Sequence, residues 1–118
     1  MSVEDNIYLA LKDLAATRVF RDFAPLSTAK PYITFVQIGG EAYTYVGPEV
    51  PNIQNGRFQI NVWGSTRAQC SALMLQVESA MTLATAFIAK PLGAPSGSYD
   101  HDSQIYASMQ DFSVTSNR

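Results

Sequence analysis

The stretch that most constrains the fold covers residues 55–66, with the sequence NGRFQINVWGST. Apolar and polar side chains alternate within it, as expected for a strand that buries one face. The buried face would be formed by Phe58, Ile60 and Val62. We predict a turn at residues 55–56, a strand over residues 57–63 that ends at Gly64, and a helix directly after it.

A capping pattern at its start and an apolar stripe along its length predict a helix over residues 67–84. Thr66 supplies a hydroxyl group as N-cap, and Gln69 is placed to reach back to it in a capping box. The stripe repeats at helical spacing. Its members are Cys70, Leu73, Val77, Ala80, Met81 and Ala84. Met74 and Leu75 widen the stripe, which indicates that the helix contacts both the sheet and a further surface.

The chain before this stretch predicts a helix and two strands. Residues 2–16 are predicted to be helical, with Ser2 as N-cap. Their apolar stripe consists of Ile7, Ala10, Leu11 and Leu14. Residues 19–23 are predicted to form an edge strand that ends before Pro25, and residues 27–31 to form a loop. Residues 32–38 are predicted to be a strand by propensity, and their apolar residues on both faces indicate either a bulge or burial on both sides.

A long connection is predicted between the strand at residues 32–38 and the strand at residues 57–63. Residues 41–54 contain Gly47, Pro48 and Pro51, which interrupt a regular ladder. The connection exceeds the about two to five residues usual in a hairpin loop. It is either a mobile loop or an arm that becomes ordered on another chain.

After the second helix, residues 87–88 are predicted to begin a short strand that Pro91 stops. Residues 92–102 are predicted to be a loop, because Gly, Pro, Ser and Asp dominate them. Residues 103–115 are predicted to be the last strand, and residues 116–118 a polar tail.

This order of elements predicts one domain over residues 1–118, of α+β class. The sheet is predicted to be mainly antiparallel, with about four to five strands and two helices packed on one face.

The composition excludes several classes of partner. Only 15% of the residues are charged and the net charge is −2, against about a quarter charged in a typical protein. The eight basic residues are scattered, so we expect no direct nucleic-acid binding. No apolar run reaches the roughly 18 residues of a membrane span. No signal-peptide pattern is present, so we expect synthesis in the cytoplasm and no membrane partner.

The residues that could carry chemistry have simpler explanations. His101 is the one histidine, and a metal site would need further ligands that converge on it. A solvated turn is the simpler interpretation of its Ser-, Gly- and Asp-rich surroundings. Cys70 lies on the apolar stripe, which favours core packing over a nucleophile. No phosphate-binding glycine pattern is present. We therefore predict no catalytic residue, no metal, no cofactor and no enzymatic activity.

Three blocks of the sequence carry a resemblance to a known family. They are PYITF at residues 31–35, RFQINVWG at residues 57–64 and DFSV at residues 111–114. A PYITF strand followed by an R-x-Q-I-x-V-W strand that runs into a helix resembles the tail-completion, or tail-terminator, proteins of long-tailed phages and prophages. The length, the first helix and the order of elements fit as well, so the resemblance spans nearly the whole chain.

The resemblance implies a structural protein at the head-proximal end of the virion tail. Family members form a ring, commonly a hexamer, that caps the tail tube, stops its polymerisation and joins the tail to the filled head. The implied partners are further copies of the chain, the tail-tube protein and a head-completion or connector protein. The family pattern contains no catalytic residues, and it has no residue-by-residue match to the connection at residues 41–54.

A ring built from one repeated contact needs two different patches on each subunit. The long connection is rich in Tyr and low in charge, so we predict that Tyr43, Tyr45, Val46 and Val50 lie at subunit or tube contacts. The alternative for this segment is a flexible solvent loop. The alternatives for the whole chain are a small bacterial α+β ligand-binding or accessory module, and a neck or connector component of the virion.

Overall fold

The computed structural model describes residues 2–41 and 53–117, which form two helices and a six-stranded sheet. In chain order the elements are α1 (Val3–Leu11), β1 (Val19–Arg21), β2 (Tyr32–Gly39), β3 (Ile53–Gly64), α2 (Arg67–Leu83), β4 (Ile88–Pro91), β5 (Ser96–Asp100) and β6 (Ile105–Asn117). The strand order is β1-β2-β3-β6-β4, and β5 also pairs with β6. The β1–β2 pair is parallel and the other pairs are antiparallel. The predicted α+β class and mainly antiparallel sheet are confirmed, with six strands instead of four to five.

The long pair β3–β6 forms the centre of the sheet. Its register runs from Ile53 opposite Asn117 to Gly64 opposite Tyr106. Alternate side chains on these strands face the helices and are almost fully buried. They are Phe58, Ile60, Val62, Phe112 and Val114. The core therefore lies between this face of the sheet and the two helices, as the alternation in the sequence predicts.

Helix α1 begins at the predicted cap but ends five residues early, at Leu11 instead of residue 16. Ser2 Oγ accepts a hydrogen bond from the Asp5 N–H group (3.1 Å), and the Asp5 carboxylate accepts one from the Ser2 N–H group (3.2 Å). Ala16 and Thr17 have φ angles of 50° and 68°. A right-handed helix cannot continue through such residues, so the chain turns toward β1.

Helix α2 has the predicted N-cap. Thr66 Oγ1 accepts a hydrogen bond from the Gln69 N–H group (3.1 Å). Gln69 Oε1 in turn accepts a hydrogen bond from the N–H group of Ser65 (2.8 Å), one residue before the cap. The predicted stripe is buried at Cys70, Leu73, Val77 and Met81, and Met74 is buried beside it. Leu75 instead keeps 67% of its surface exposed.

The predicted turn at Asn55 and Gly56 is wrong, because both residues lie within β3. Strand β6 extends far enough to supply backbone partners as far as Ile53. The Asn55 side chain also donates hydrogen bonds across the pair, to Ser113 Oγ (2.9 Å) and Thr115 Oγ1 (3.2 Å). The long-range ladder therefore overrides the local turn preference of Asn-Gly.

The residues after α2 differ from the prediction in two places and agree with it in a third. The predicted loop at residues 92–102 contains strand β5, which forms a hairpin with β6. The short strand predicted to begin at residues 87–88 and to stop at Pro91 is confirmed as β4, whose last residue, Pro91, lies opposite Phe112 as an edge strand permits. Strand β6 continues to Asn117, so Ser116 and Asn117 pair with β3 and do not form the predicted polar tail.

Strand β2 contains a bulge, one of the two predicted possibilities, but the bulge follows the stretch from Ile33 to Val36, whose pairing with β3 is continuous. The register shifts between Gln37 and Gly39, which leaves Ile38 as the extra residue. Strand β1 lies at the sheet edge as predicted, although it ends at Arg21. Neither helix within residues 2–41 and 53–117 combines the length and the hydropathy that crossing a bilayer requires.

Candidate interface surfaces

The one histidine lies in the turn of the β5–β6 hairpin. The ring of His101 contacts the ring of Tyr99 edge-on, with 4.9 Å between the ring centres. Asp100 accepts hydrogen bonds from the Ser103 hydroxyl (2.9 Å) and the Asp102 N–H group (3.1 Å), and these bonds lower the pKa of Asp100. In the described ranges no three His, Cys, Asp or Glu side chains cluster as metal ligands would. These residues shape an exposed turn, which matches the interpretation made from the sequence.

The one cysteine is a core residue. Cys70 has no exposed surface, and its thiol donates a hydrogen bond to the Tyr106 carbonyl oxygen (3.3 Å). Burial raises the pKa of the Cys70 thiol. The reactive thiolate form is therefore disfavoured, and the predicted packing role is confirmed.

The sheet face away from the helices is covered by its own polar and aromatic side chains. Trp63 Nε1 donates a hydrogen bond to Thr34 Oγ1 (3.0 Å), and the Tyr32 ring stacks on Trp63 with 6.1 Å between ring centres. Burial raises the pKa of Tyr32. Arg57 and Asp111 form an ion pair across β3 and β6 (2.8 Å). These contacts pair the named polar groups of this face with one another.

A groove of about 560 Å³ lies between α2 and β5 on the helix side of the sheet. It is lined by Arg67, Ser71, Met74, Leu75, Pro95, Gly97 and Ser108. Leu75, one of the two residues that the sequence indicated for a contact beyond the core, is 67% exposed in this lining. The groove therefore presents an apolar surface that the helices do not cover.

Arg67 fixes β5 against the start of α2. Its guanidinium group donates hydrogen bonds to the carbonyl oxygens of Ala107 (2.8 Å) and Ser98 (2.8 Å), and it lies 5.3 Å from the centre of the Tyr106 ring. A Cβ atom at position 97 would lie 2.5 Å from Arg67 Nη1, so Gly97 leaves the space that the guanidinium group occupies. Arg67 forms no ion pair with any described residue.

The outer surface of α2 has few charges. Arg67 and Glu78 are its only charged residues. Leu83 is 75% exposed near the end of the helix, and a shallow hollow of about 420 Å³ separates it from Leu75. Leu9 of α1, 45% exposed, continues the apolar surface past Leu83. The helix layer therefore has an apolar side away from the sheet, which is typical of a surface that contacts other chains.

The 22–31 loop, which joins β1 to β2, carries the most exposed apolar side chains at the opposite edge of the sheet. Phe23 is 78% exposed and Leu26 is 99% exposed. Because β1 and β2 are parallel, the chain must run back outside the sheet between them. A hydrogen bond from the Thr28 N–H group to the Pro25 carbonyl oxygen (3.3 Å), with Ser27 at φ 65°, holds Leu26 in a turn.

The sequence predicts residues 27–31 of this loop but not its first residues. It assigns Phe23 to the edge strand, whereas β1 ends before it at Arg21. Asp22 has a φ angle of 64°, which takes the chain out of the extended conformation. The cluster of Asp22, Pro25 and Ser27 was the available signal, since these residue types favour turns.

The predicted interface residues Tyr43, Tyr45, Val46 and Val50 lie outside the described residues.

A comparison with protein families identifies the group to which the chain is related. The model of the family described as Tail completion protein gp17 matches residues 8–115. The chain belongs to the tail completion protein gp17 family. The matched span begins within α1 and continues into β6, so it contains the loop and the groove described above. No curated protein matches the chain in a sequence search.

Membership of the tail completion family gives the protein a structural role in the assembly of a phage tail. Its place is therefore the virion tail, where it interacts with other tail components. The family is a structural one.

Proposed function

We propose that the protein forms a ring at the head-proximal end of the tail tube, stops tube polymerisation and joins the tail to the head. A ring of six copies is the size that the sequence resemblance implies. The observation that carries the proposal is the family match over residues 8–115, which takes in nearly all of the fold. The partners would be further copies of the chain, the tail-tube protein and a head-completion or connector protein.

Two physical features support a ring. The groove and the 22–31 loop are different in shape and lie at opposite edges of the sheet. A contact between two different patches is heterologous, and such contacts close into a ring when the rotation between subunits allows it. The low charge of α2 also suits a surface that neighbouring chains cover.

The connection between β2 and β3 is proposed as a second contact region, to a neighbouring subunit or to the tube. It contains Tyr43, Tyr45, Val46 and Val50. Tyr43→Ser combined with Tyr45→Ser should impair ring assembly and tail-length control, because it removes two apolar rings from the contact. The matched control is Ile88→Ser, which removes an apolar side chain that is 70% exposed on β4. Unchanged assembly in the Tyr double variant would remove this assignment.

The experiment that tests the proposed function adds the purified protein to polymerising tail-tube protein of the same phage. Electron microscopy then gives the distribution of tube lengths, and native mass spectrometry gives the number of copies per cap. The expected result is short tubes with a ring at one end. Unchanged tube lengths, with the protein monomeric in the presence and absence of tubes, would reject the proposal.

A small binding module is the second candidate function, and the groove between α2 and β5 is the observation that favours it. Grooves of roughly 300–1,000 Å³ commonly hold small ligands, and this one has about 560 Å³. The same tube-growth experiment separates the two functions, because a ligand-binding module would not alter tube length.

A further inference from the structure

The 22–31 loop has the properties of an inserting element. Leu26 is 99% exposed and Phe23 is 78% exposed, although both would normally be buried in a folded protein. The turn between Pro25 and Thr28 holds Leu26 in a defined position. A backbone that is already ordered loses little further conformational freedom when it binds, so the loop is prepared for a contact.

The groove has the properties of a receiving surface. Leu75 and Met74 supply apolar side chains from α2, and Pro95 supplies one from the chain just before β5. Its volume of about 560 Å³ lies in the range of roughly 300–1,000 Å³ that accepts drug-sized apolar groups. Two apolar side chains are therefore of the right scale to fill it.

The two surfaces also carry complementary charges. Asp22 is exposed directly before Phe23 and forms no ion pair with the described residues. Arg67 lies in the groove and donates two hydrogen bonds, to Ala107 and Ser98. A guanidinium group has five N–H donors, so donors remain for a carboxylate. The negative carboxylate of Asp22, next to the inserting side chains, is therefore opposite in charge to the guanidinium group of Arg67 in the groove.

The positions of the two surfaces suit a repeating contact. The loop adjoins β1 at one edge of the sheet, and the groove adjoins β5 at the other. Four strand spacings of about 4.8 Å separate these edges, or roughly 19 Å. Because the surfaces are far apart, one copy can receive a loop and insert its own loop into a third copy at the same time.

We infer that the subunit contact of the ring is made by the 22–31 loop of one copy, which inserts Phe23 and Leu26 into the groove between α2 and β5 of the next copy. This inference rests on the proposed ring function and names the two surfaces that form it. Asp22 of the inserting copy pairs with Arg67 of the receiving copy. The occupant of the groove is therefore a second copy of this chain.

The size of the contact predicts when the ring forms. An aromatic side chain buries about 150–250 Å², so Phe23 and Leu26 together cover only a few hundred Å². A stable interface needs about 800 Å² on each partner. The contact alone is too small to hold free copies together, so the protein is expected to be monomeric in dilute solution and to form the ring on the tube end.

The test places a photoreactive benzophenone amino acid at position 26, in place of Leu26. The labelled protein is assembled on tubes of tail-tube protein, irradiated and digested, and mass spectrometry identifies the linked peptide. The expected product joins position 26 of one copy to the α2 residues Ser71–Leu75 of another copy. Rings and capped tubes are scored in the same sample by electron microscopy.

A second arm measures the strength of the contact. Phe23→Ser combined with Leu26→Ser should lower ring formation on tubes at least tenfold, because both apolar side chains leave the groove. Ile88→Ser is the matched control, since Ile88 is 70% exposed on β4 and does not line the groove. All three residues are exposed, so urea unfolding should show the same stability for both variants and the parent protein.

The outcomes separate this inference from the proposed function. If rings form and cap tubes but position 26 links to tail-tube protein or to no partner, the inference is wrong and the proposed function stands. The same holds if the Phe23 and Leu26 double variant forms rings as well as the parent protein. If the parent protein forms no rings and leaves tube length unchanged, both are wrong.

Discussion

Replacing Gly64 with Ala should destabilise the corner where β3 passes into α2. A Cβ atom at position 64 would lie 2.8 Å from Gln69 Oε1 and 2.9 Å from Cys70 Sγ. Gln69 can move away by giving up its bond to the Ser65 N–H group, whereas the fully buried Cys70 has little room to move. Overpacking costs about 1–3 kcal/mol and a lost hydrogen bond about 0.5–1.5 kcal/mol. The free energy of unfolding should therefore fall by about 2–4 kcal/mol.

Urea unfolding, followed by the fluorescence of Trp63, measures this loss. The comparison that isolates its cause is a double-mutant cycle with Cys70→Ala, which removes the sulfur atom that the new Cβ would meet. In the Cys70→Ala background, Gly64→Ala should lower the free energy of unfolding by only about 1 kcal/mol, which is the contribution of the lost Gln69 hydrogen bond. An equal cost in both backgrounds would refute the packing explanation, because the sulfur atom would then make no difference.

Three further changes test other parts of the fold. Thr66→Ala should lower the free energy of unfolding by about 1 kcal/mol through loss of the N-cap. Thr66→Ser should keep most of the stability of the parent protein, and equal stabilities of the two variants would contradict the capping role. Phe112→Ala should cost about 3–5 kcal/mol, because Phe112 is fully buried opposite Phe58, and a loss below 1 kcal/mol in urea unfolding would be inconsistent with this burial. The pKa of Asp100 is lowered, chiefly by the Ser103 hydroxyl, so its contribution to stability is present above about pH 3.9 and is lost as pH falls through the lowered pKa. Asp100→Asn should therefore lose less stability between pH 6 and pH 3 than the parent protein, and equal losses would argue against this contribution.

The elements predicted correctly are those whose signals are local. Thr66 and Gln69 are close in sequence, and their side chains mark the start of α2 without help from distant residues. The alternation from Phe58 to Val62 likewise reports the buried face of β3 directly. The bulge at Ile38 was one of two explanations left open, because a break in alternation shows that the pattern changes but not how the partner strand responds.

The elements that were missed depend on distant partners. Strand β5 consists of SGSYD, which has the composition of a turn, and it becomes a strand only through its pairing with β6 and the Arg67 bond to Ser98. The start of β3 was missed for the same reason, since β6 supplies the backbone partners of Asn55. Local propensity is a weak guide where a long ladder is available.

The candidate interface was predicted only in outline. The sequence indicated that α2 contacts something beyond the sheet, and the exposed Leu75 in the groove agrees with this. It did not indicate Phe23 and Leu26, because an apolar residue in a loop cannot be distinguished by pattern from one in an edge strand. Arg67 was also missed, since its role depends on the position of β5 across from the helix.

The central claim is that the protein ends the tail and joins it to the head, and the most direct measurement uses a phage that lacks this gene. Electron microscopy of the lysate gives the lengths of the tails and the fraction of heads that carry one. The expected result is filled heads without tails and free tails of uncontrolled length, with both defects corrected by supplying the parent protein. Complete virions with tails of normal length in the absence of the protein would contradict it.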